Sequence, residues 1–95
     1  MLFEWDDRKE KINISKHGID FSTAALVFRD VNRIEIFDEA HSDIEERFIT
    51  IGQIQEVAVV IMLVYTERKE VVRIISARKA TKREGRLYYD CLQGN

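Results

Sequence analysis

The chain has 95 residues, of which 45% are apolar, and a formal net charge of −2. That length indicates one domain, residues 1–95, with a modest core. Its longest uncharged run, residues 57–66, falls far short of the roughly 20 apolar residues of a membrane-spanning helix, and its acidic start is unlike a targeting segment. The single Cys91 excludes an intrachain disulfide and indicates a reducing, cytoplasmic setting.

The charges are distributed unevenly along the chain. Residues 30–56 carry eight acidic and two basic side chains, whereas residues 66–95 carry eight basic and four acidic ones. A general nucleic-acid-binding protein would be basic overall. We therefore expect any polyanion to bind the C-terminal segment, while the acidic segment faces elsewhere or meets a basic partner.

The beginning of the chain predicts a short strand and a helix. Residues 2–5 alternate loosely as a strand, and Asp6 or Asp7 then caps a helix that ends at Gly18. The apolar face of this helix is thin and consists chiefly of two residues, Ile12 and Ile14. We therefore expect the first helix to lie across a surface.

A second helix is predicted from apolar residues at helical spacing, namely Phe21, Ala24, Ala25 and Phe28. Asp20 or Ser22 would cap this helix, and it should end near Asp30 and Asn32. Its broader apolar face predicts deeper burial than that of the first helix.

The rest of the chain predicts strands and one more helix. Four segments have strand character: residues 33–38, 46–54, 57–66 and 71–79. Short connections between them favour an antiparallel meander, so the fold class is α+β, with the two N-terminal helices on one sheet face.

The last helix begins at a capping box formed by Thr81 and Glu84. Its apolar stripe consists of Leu87, Tyr88, Cys91 and Leu92, and this places Cys91 in the core. Tyr88 and Tyr89 face different directions, so one should be buried and one partly exposed. Core packing is the favoured role of Tyr88, and an exposed tyrosine could stack on a base.

Strict alternation along residues 71–79 places Ser76 and Arg78 on one face with Val72 and Ile74, and Arg73 on the other. An arginine in a sheet usually forms an ion pair or binds phosphate. For Arg47, where Glu45 and Glu46 are the candidate ion-pair partners, the sequence leaves both readings open.

Two histidine-containing segments have alternative readings. A cation at the end of the first helix, Lys16 or His17, is stabilised by the helix dipole, but a histidine there could also transfer protons or contact phosphate. The acidic loop contains four metal-ligand residue types: His41, Asp43, Glu45 and Glu46. Their spacing matches no defined metal motif, so we expect no metal and no cofactor.

Several separated motifs occur in the order found in one known family. They are residues 3–6 with Lys9 and Asn13, residues 16–19 with Phe21, Ala25 and Phe28, residues 45–48, residues 51–52, and residues 73–80 with Glu84 and Tyr88. Together they resemble the BrnT-type toxins, and the resemblance covers almost the whole chain.

This resemblance implies a RelE-like fold, in which two N-terminal helices pack on an antiparallel sheet of four main strands plus a short first strand, followed by a C-terminal helix. It also implies a ribonuclease toxin of a type II toxin–antitoxin pair that blocks translation and needs no metal. Its partner would be a BrnA-type antitoxin, which neutralises the toxin in a hetero-oligomer and carries the DNA-binding domain.

The implied chemistry is attack by the RNA 2′-hydroxyl on the adjacent phosphate. We expect Arg78 to stabilise the charged phosphorane with Arg47 as its helper, and Lys16 and His17 to transfer protons or contact phosphate. Glu46 would act as general base or orient Arg47. The residues expected to hold the RNA backbone are Lys79, Lys82 and Arg83.

Two other readings stay open at this point. The chain could be a non-enzymatic scaffold that dimerises a DNA-binding partner, which the balanced net charge and the acidic segment at residues 30–56 also fit. A metal-dependent nuclease would instead lose its activity in the presence of a chelator.

Overall fold

The computed structural model describes residues 1–94. Its elements in chain order are β1 (Leu2–Trp5), α1 (Asp7–His17), α2 (Phe21–Ala24), β2 (Ile34–Phe37), β3 (Phe48–Ile54), β4 (Val59–Arg68), β5 (Val71–Lys79) and α3 (Lys82–Leu92). One 3₁₀ helix, Ala25–Arg29, continues α2, and another, Glu39–His41, lies between β2 and β3. Every helix within residues 1–94 lacks the length and apolar character needed to cross a bilayer.

The five strands form one sheet in the order β1-β5-β4-β3-β2. Strands β2 to β5 are an antiparallel meander, as predicted. Strand β1 pairs in parallel with β5, so the sheet is mixed rather than antiparallel throughout. The sequence carried no signal for this direction, because β1 and β5 are joined by most of the chain and not by a hairpin. The α+β class is confirmed.

One face of the sheet, which we call the core face, is covered by α2 and the 3₁₀ helix that follows it. Phe21, Ala24 and Val27 from these helices are completely buried. They pack against apolar residues of the strands, which include Ile54, Ile61, Leu63, Tyr65, Val72, Ile74 and Ala77. The second helical segment is therefore better buried than the first, as predicted, although it is α-helical for only one turn.

The prediction that both N-terminal helices pack on one sheet face is wrong for α1, which lies beside β5 beyond the end of β1. Ile12 and Ile14 are 55% and 44% exposed, whereas Asn13 between them is only 4% exposed. The Asn13 side-chain amide donates to the Ala77 carbonyl (2.8 Å) and accepts from the Ala77 amide (3.0 Å). Because β1 ends opposite Ile74, Asn13 supplies hydrogen bonds to the edge of β5 where a strand would otherwise continue.

An irregularity in β5 reverses the predicted facing of its C-terminal half. Tyr65 of β4 pairs with Ile74, but the preceding residue, Val64, pairs with Ser76, so Ile75 is the extra residue of a β-bulge. Ser76 and Arg78 consequently share a face with Arg73 and not with Val72 and Ile74. We call this second face of the sheet the open face.

Helix α3 packs against β3 and begins at the predicted capping box, in which Thr81 and Glu84 exchange hydrogen bonds. Tyr88 is 2% exposed and Tyr89 is exposed, which confirms their different surroundings. Cys91 is also exposed, so its predicted place in the core is wrong. Within α3 only Tyr88 is buried, because the helix contacts the sheet along one narrow line.

Candidate functional site

Two adjoining cavities lie along the open face beside α1. The first has a volume of about 410 Å³ and lies between α1, the connection from β2 to β3, and strands β4 and β5. The second has a volume of about 240 Å³ and lies between the last turns of α1 and β5. Lys9 and Ile75 line both cavities, so the two form one continuous groove.

Cationic side chains from three elements surround this groove. Lys9, Arg47 and Arg73 line the first cavity. Lys16 and His17 line the second cavity together with Ser76. Arg78 continues the row, because it lies two residues beyond Ser76 on the same face of β5. Asp43 and Glu45 also line the first cavity, so its lining carries both signs of charge, with three cations against two carboxylates. Cations lining a concave surface favour an anionic ligand such as a nucleic-acid backbone.

Arg78 is held by a two-point ion pair. Its Nη1 and Nη2 atoms donate to Oε1 and Oε2 of Glu84 at 2.8 and 3.0 Å, and Nη1 also donates to the Lys79 carbonyl at 3.1 Å. The hydrogen bond from Arg78 holds the pKa of Glu84 below its ordinary value. The Nε–H and the second Nη2–H of Arg78 donate to no group within residues 1–94, and these two donors form a fork suited to a phosphate.

Arg47 reaches the groove from the beginning of β3. Its carbonyl accepts from the Asp38 amide at 2.8 Å, and its own amide donates to Ser42 Oγ at 3.0 Å. The ion pairs considered for Arg47 in the sequence do not form, because Glu45 pairs with Arg68 instead. Glu46 is exposed and lines neither cavity of the groove.

Lys16 and His17 occupy the last turn of α1. Gly18 ends the helix with a left-handed conformation (φ 71°), and its amide donates to the Ile14 carbonyl at 2.8 Å. This cap agrees with the prediction and fixes the point at which the two cations lie beside Ser76. Asp6 caps the other end of α1, also as predicted.

The structure does not bring the three expected backbone-holding residues into the groove. Lys79 lines a separate cavity on the core-face side, together with Gly18 and Asp20. Lys82 and Arg83 are exposed on the first turn of α3. They lie near Arg78 in the chain but line neither cavity of the groove.

Sequence reasoning missed two groove residues, Lys9 and Arg73. Lys9, Asn13 and Lys16 repeat at helical spacing on one face of α1, which was a usable signal. Arg73 could not be placed correctly, because strict alternation put it on the face opposite Arg78. The bulge at Ile75 is what brings the two arginines to the same face.

The acidic loop does not assemble a metal site. His41 Nδ1 lies 3.1 Å from Asp38 Oδ2 and is thereby paired with one carboxylate. Within residues 1–94, no group of three or more His, Cys, Asp or Glu side chains is arranged to hold a metal ion.

A mixed sheet with a groove lined by several cationic side chains beside its first helix defines an α+β protein. A family model described as the ribonuclease toxin, BrnT, of type II toxin–antitoxin systems matches residues 5–84. The chain belongs to this family, whose members are ribonuclease toxins that act with an antitoxin protein. A comparison with curated proteins finds no match.

Proposed function

We propose that this chain is a RelE-like endoribonuclease toxin that acts in the cytoplasm, cleaves RNA without a metal ion and thereby blocks translation. The observation that carries the proposal is the groove on the open face, where Arg47, Arg78, Lys16 and His17 come from separate elements to one surface. Its neutralising partner would be a BrnA-type antitoxin, through which any contact with DNA would be indirect.

The proposed reaction is attack by a ribose 2′-hydroxyl on the adjacent phosphate, with departure of the 5′-oxygen. Negative charge increases on the phosphate oxygens in the transition state, and preorganised donors that stabilise it are usually the largest catalytic contribution. Arg78 suits this task, because Glu84 fixes one edge of its guanidinium and leaves the Nε–Nη2 edge available. Arg47 lies in the row of Thr66 and Arg73 and not beside Arg78, so it would help by raising the positive potential of the groove rather than by contacting the same phosphate.

Proton transfer is assigned to the end of α1. His17 and Lys16 are adjacent, and both side chains line the second cavity, where an imidazole or an ammonium group could exchange a proton with the RNA. An acid or base in such a position typically contributes about 10²–10⁴-fold. Glu46 lies outside the groove, so we propose no step through it. Lys82 and Arg83 would contact RNA leaving the groove past Arg78.

The first test replaces Arg78. We expect expression of the wild type without antitoxin to arrest growth and degrade RNA, and Arg78→Ala to lower the cleavage rate by about 10²–10³-fold, as removal of one transition-state donor does. The measurement is growth together with RNA integrity, and cleavage by the purified protein with and without chelator. Arg29→Ala is the matched control, because it removes an arginine that pairs with a carboxylate, Glu56, away from the groove.

Because Arg78 also pairs with the capping residue of α3, each variant is checked for its circular dichroism and unfolding midpoint. Full RNA cleavage by folded Arg78→Ala would contradict the assignment of Arg78. Loss of cleavage on adding chelator would contradict the metal-independent reaction.

A scaffold function is the second candidate, because α3 presents apolar side chains that residues 1–94 leave partly exposed. Leu87 and Leu92 are 44% and 40% exposed. In that case the chain would dimerise a DNA-binding partner without cutting RNA. Normal growth and intact RNA after expression of folded wild type would favour this function.

A further inference from the structure

We propose that the first cavity of the groove is a second RNA subsite, which holds a nucleotide that flanks the cut position and binds its phosphate through Arg73 and Lys9. This inference rests on the proposed function only in taking RNA as the ligand. It assigns roles to two residues that the cleavage mechanism does not use.

The sheet places Arg73 at a distance from the cleavage site. Arg73 and Arg78 lie on the same face of β5 and are separated by five positions in the sequence. At the rise of a strand this corresponds to about 15 Å, reduced slightly by the bulge. The two guanidinium groups are also held by different carboxylates, Arg73 by Glu4 and Arg78 by Glu84, so a ligand that engages both in this arrangement would use separate phosphates.

Two cations of the first cavity lie in one row across neighbouring strands. Thr66 of β4 pairs with Arg73, and Arg47 immediately precedes the residue that pairs with Tyr65, so Arg47, Thr66 and Arg73 form a row across three strands. Lys9 lines the same cavity from α1. Thr66 is 3% exposed, and its hydroxyl lies near the Glu45 carboxylate, whose pKa is lowered chiefly by Arg68 and also by Thr66.

Arg73 can exchange its present partner for a ligand. Its Nη1 atom lies 3.0 Å from Glu4 Oε2, and both side chains are partly exposed, so the pair is only weakly stabilising. Lys9 and Arg47 form no ion pair within residues 1–94, and this leaves two further positive charges for a phosphate.

The wall formed by the connection between β2 and β3 favours a nucleotide over an acidic peptide. Asp43 and Glu45 line the cavity from the same connection as Arg47, whereas Lys9 and Arg73 line it from α1 and β5. A nucleotide offers a phosphate to the cations and amino groups of its base to carboxylate acceptors, as in direct readout of bases. The acidic side chains of a peptide would be repelled by these carboxylates, and its backbone would offer them only N–H donors.

The test measures binding rather than cleavage. The probes are an RNA oligonucleotide that carries a single 2′-deoxy substitution at the cut position and a dinucleotide with the same substitution, titrated into the full-length protein at several salt concentrations. We expect Arg73→Ala to weaken oligonucleotide binding about 10-fold and to reduce the salt slope by about one, while dinucleotide binding stays unchanged. Lys9→Ala should behave in the same way, with Lys11→Ala as its control on the same helix.

Glu4→Ala is the matched control for Arg73→Ala. Both substitutions break the same ion pair, but only Arg73→Ala removes the cation, so Glu4→Ala should bind the oligonucleotide at least as tightly as the wild type. Equal weakening by the two variants would show that the ion pair acts only on stability and would overturn the proposal, as would wild-type affinity of Arg73→Ala.

The binding and cleavage measurements distinguish failure of the nuclease proposal from failure of the subsite proposal. Tight, Arg73-dependent binding of the oligonucleotide without cleavage of the matching all-ribose RNA would remove the nuclease function and keep the subsite. Cleavage that does not depend on Arg73 or Lys9, with unchanged affinity, would remove the subsite and keep the nuclease. Absence of any RNA binding by the wild type would overturn both.

Discussion

At the scale of single residues, the side-chain amide of Asn13 forms the hydrogen bonds with β5 that a neighbouring strand would otherwise form. Its side chain bonds to both the amide and the carbonyl of Ala77, and it also donates to the Ile19 carbonyl at 2.9 Å. These contacts fix α1 beside β5, and so set the width of the groove between Lys16 and Ser76. A polar residue between two isoleucines gave no apolar signal, so the sequence could not show that Asn13 is the buried one.

We therefore predict that Asn13→Ala lowers the free energy of unfolding by about 2–4 kcal/mol, because it leaves two buried backbone groups of Ala77 without partners. Urea denaturation followed by circular dichroism measures this loss. Replacement of the exposed neighbour by Ile12→Ala is the control and should cost less than about 1 kcal/mol. Equal losses for the two variants would show that α1 is held by its apolar residues after all.

We predict that replacing Gly52 or Gly85 by alanine changes the stability of the protein in opposite directions. A Cβ atom on Gly52 would lie 2.9 Å from Val27 Cγ2 and 2.9 Å from Arg33 Cβ, whereas a Cβ on Gly85 would meet nothing within 4 Å. Gly52→Ala should destabilise the protein by about 1–3 kcal/mol through overpacking. Gly85→Ala should stabilise it by about 0.5–1 kcal/mol, because alanine favours a helix interior. Changes of the same sign in the two unfolding midpoints would contradict this reading.

At the scale of elements, the sequence predicted the features that depend on neighbouring residues, but not the register and direction of strand pairing. The caps of α1 and α3 depend on side chains within three residues, and the sequence placed both correctly. The bulge in β5 depends on its register against β4, which no local pattern records. The same limit explains the missed parallel pairing of β1 and the wrong position of Cys91, since both follow from long-range packing.

Helix α3 is also attached through a partly buried hydrogen bond to the connection that precedes β2. The Tyr88 hydroxyl donates to Asp30, which also accepts from the Gln53 amide at 2.8 Å. Burial alone would raise the pKa of Asp30, but the hydrogen bonds from Gln53 and Tyr88 outweigh it and hold this pKa below its ordinary value. The carboxylate is therefore charged at neutral pH and accepts both bonds.

From this contact we predict that Tyr88→Phe lowers the free energy of unfolding by about 1.5–3 kcal/mol, the usual range for a hydrogen bond to a charged group. Tyr89→Phe removes the same hydroxyl from an exposed neighbour and should change it by less than about 0.5 kcal/mol. Thermal and urea unfolding of the two variants give the comparison. A Tyr88→Phe protein as stable as Tyr89→Phe would mean that packing alone holds α3.

At the scale of the whole molecule, the uneven distribution of charge along the sequence can be compared with the distribution of charge on the folded surface. Segment 66–95 contributes Arg73 and Arg78 to the open face. Lys9, Lys16 and His17 come instead from residues 1–29, which carry five acidic and five basic side chains. The groove is therefore cationic because of how α1 packs on β5, which net charge along the chain could not reveal. Residue types and family motifs were enough to select Arg47 and Arg78 as candidate site residues. That both lie on the open face depends on tertiary structure, which the sequence did not show.

The most direct measurement of the central claim is the chemistry of the cut ends. Purified wild-type protein would be incubated in chelator with an RNA of defined sequence and with the same RNA carrying a 2′-deoxy substitution at the cut position. Attack by the 2′-hydroxyl predicts a 2′,3′-cyclic phosphate and a 5′-hydroxyl, with no cleavage of the substituted strand. Products with a 5′-phosphate, or cleavage of the substituted strand at the same position, would contradict the mechanism assigned to this groove.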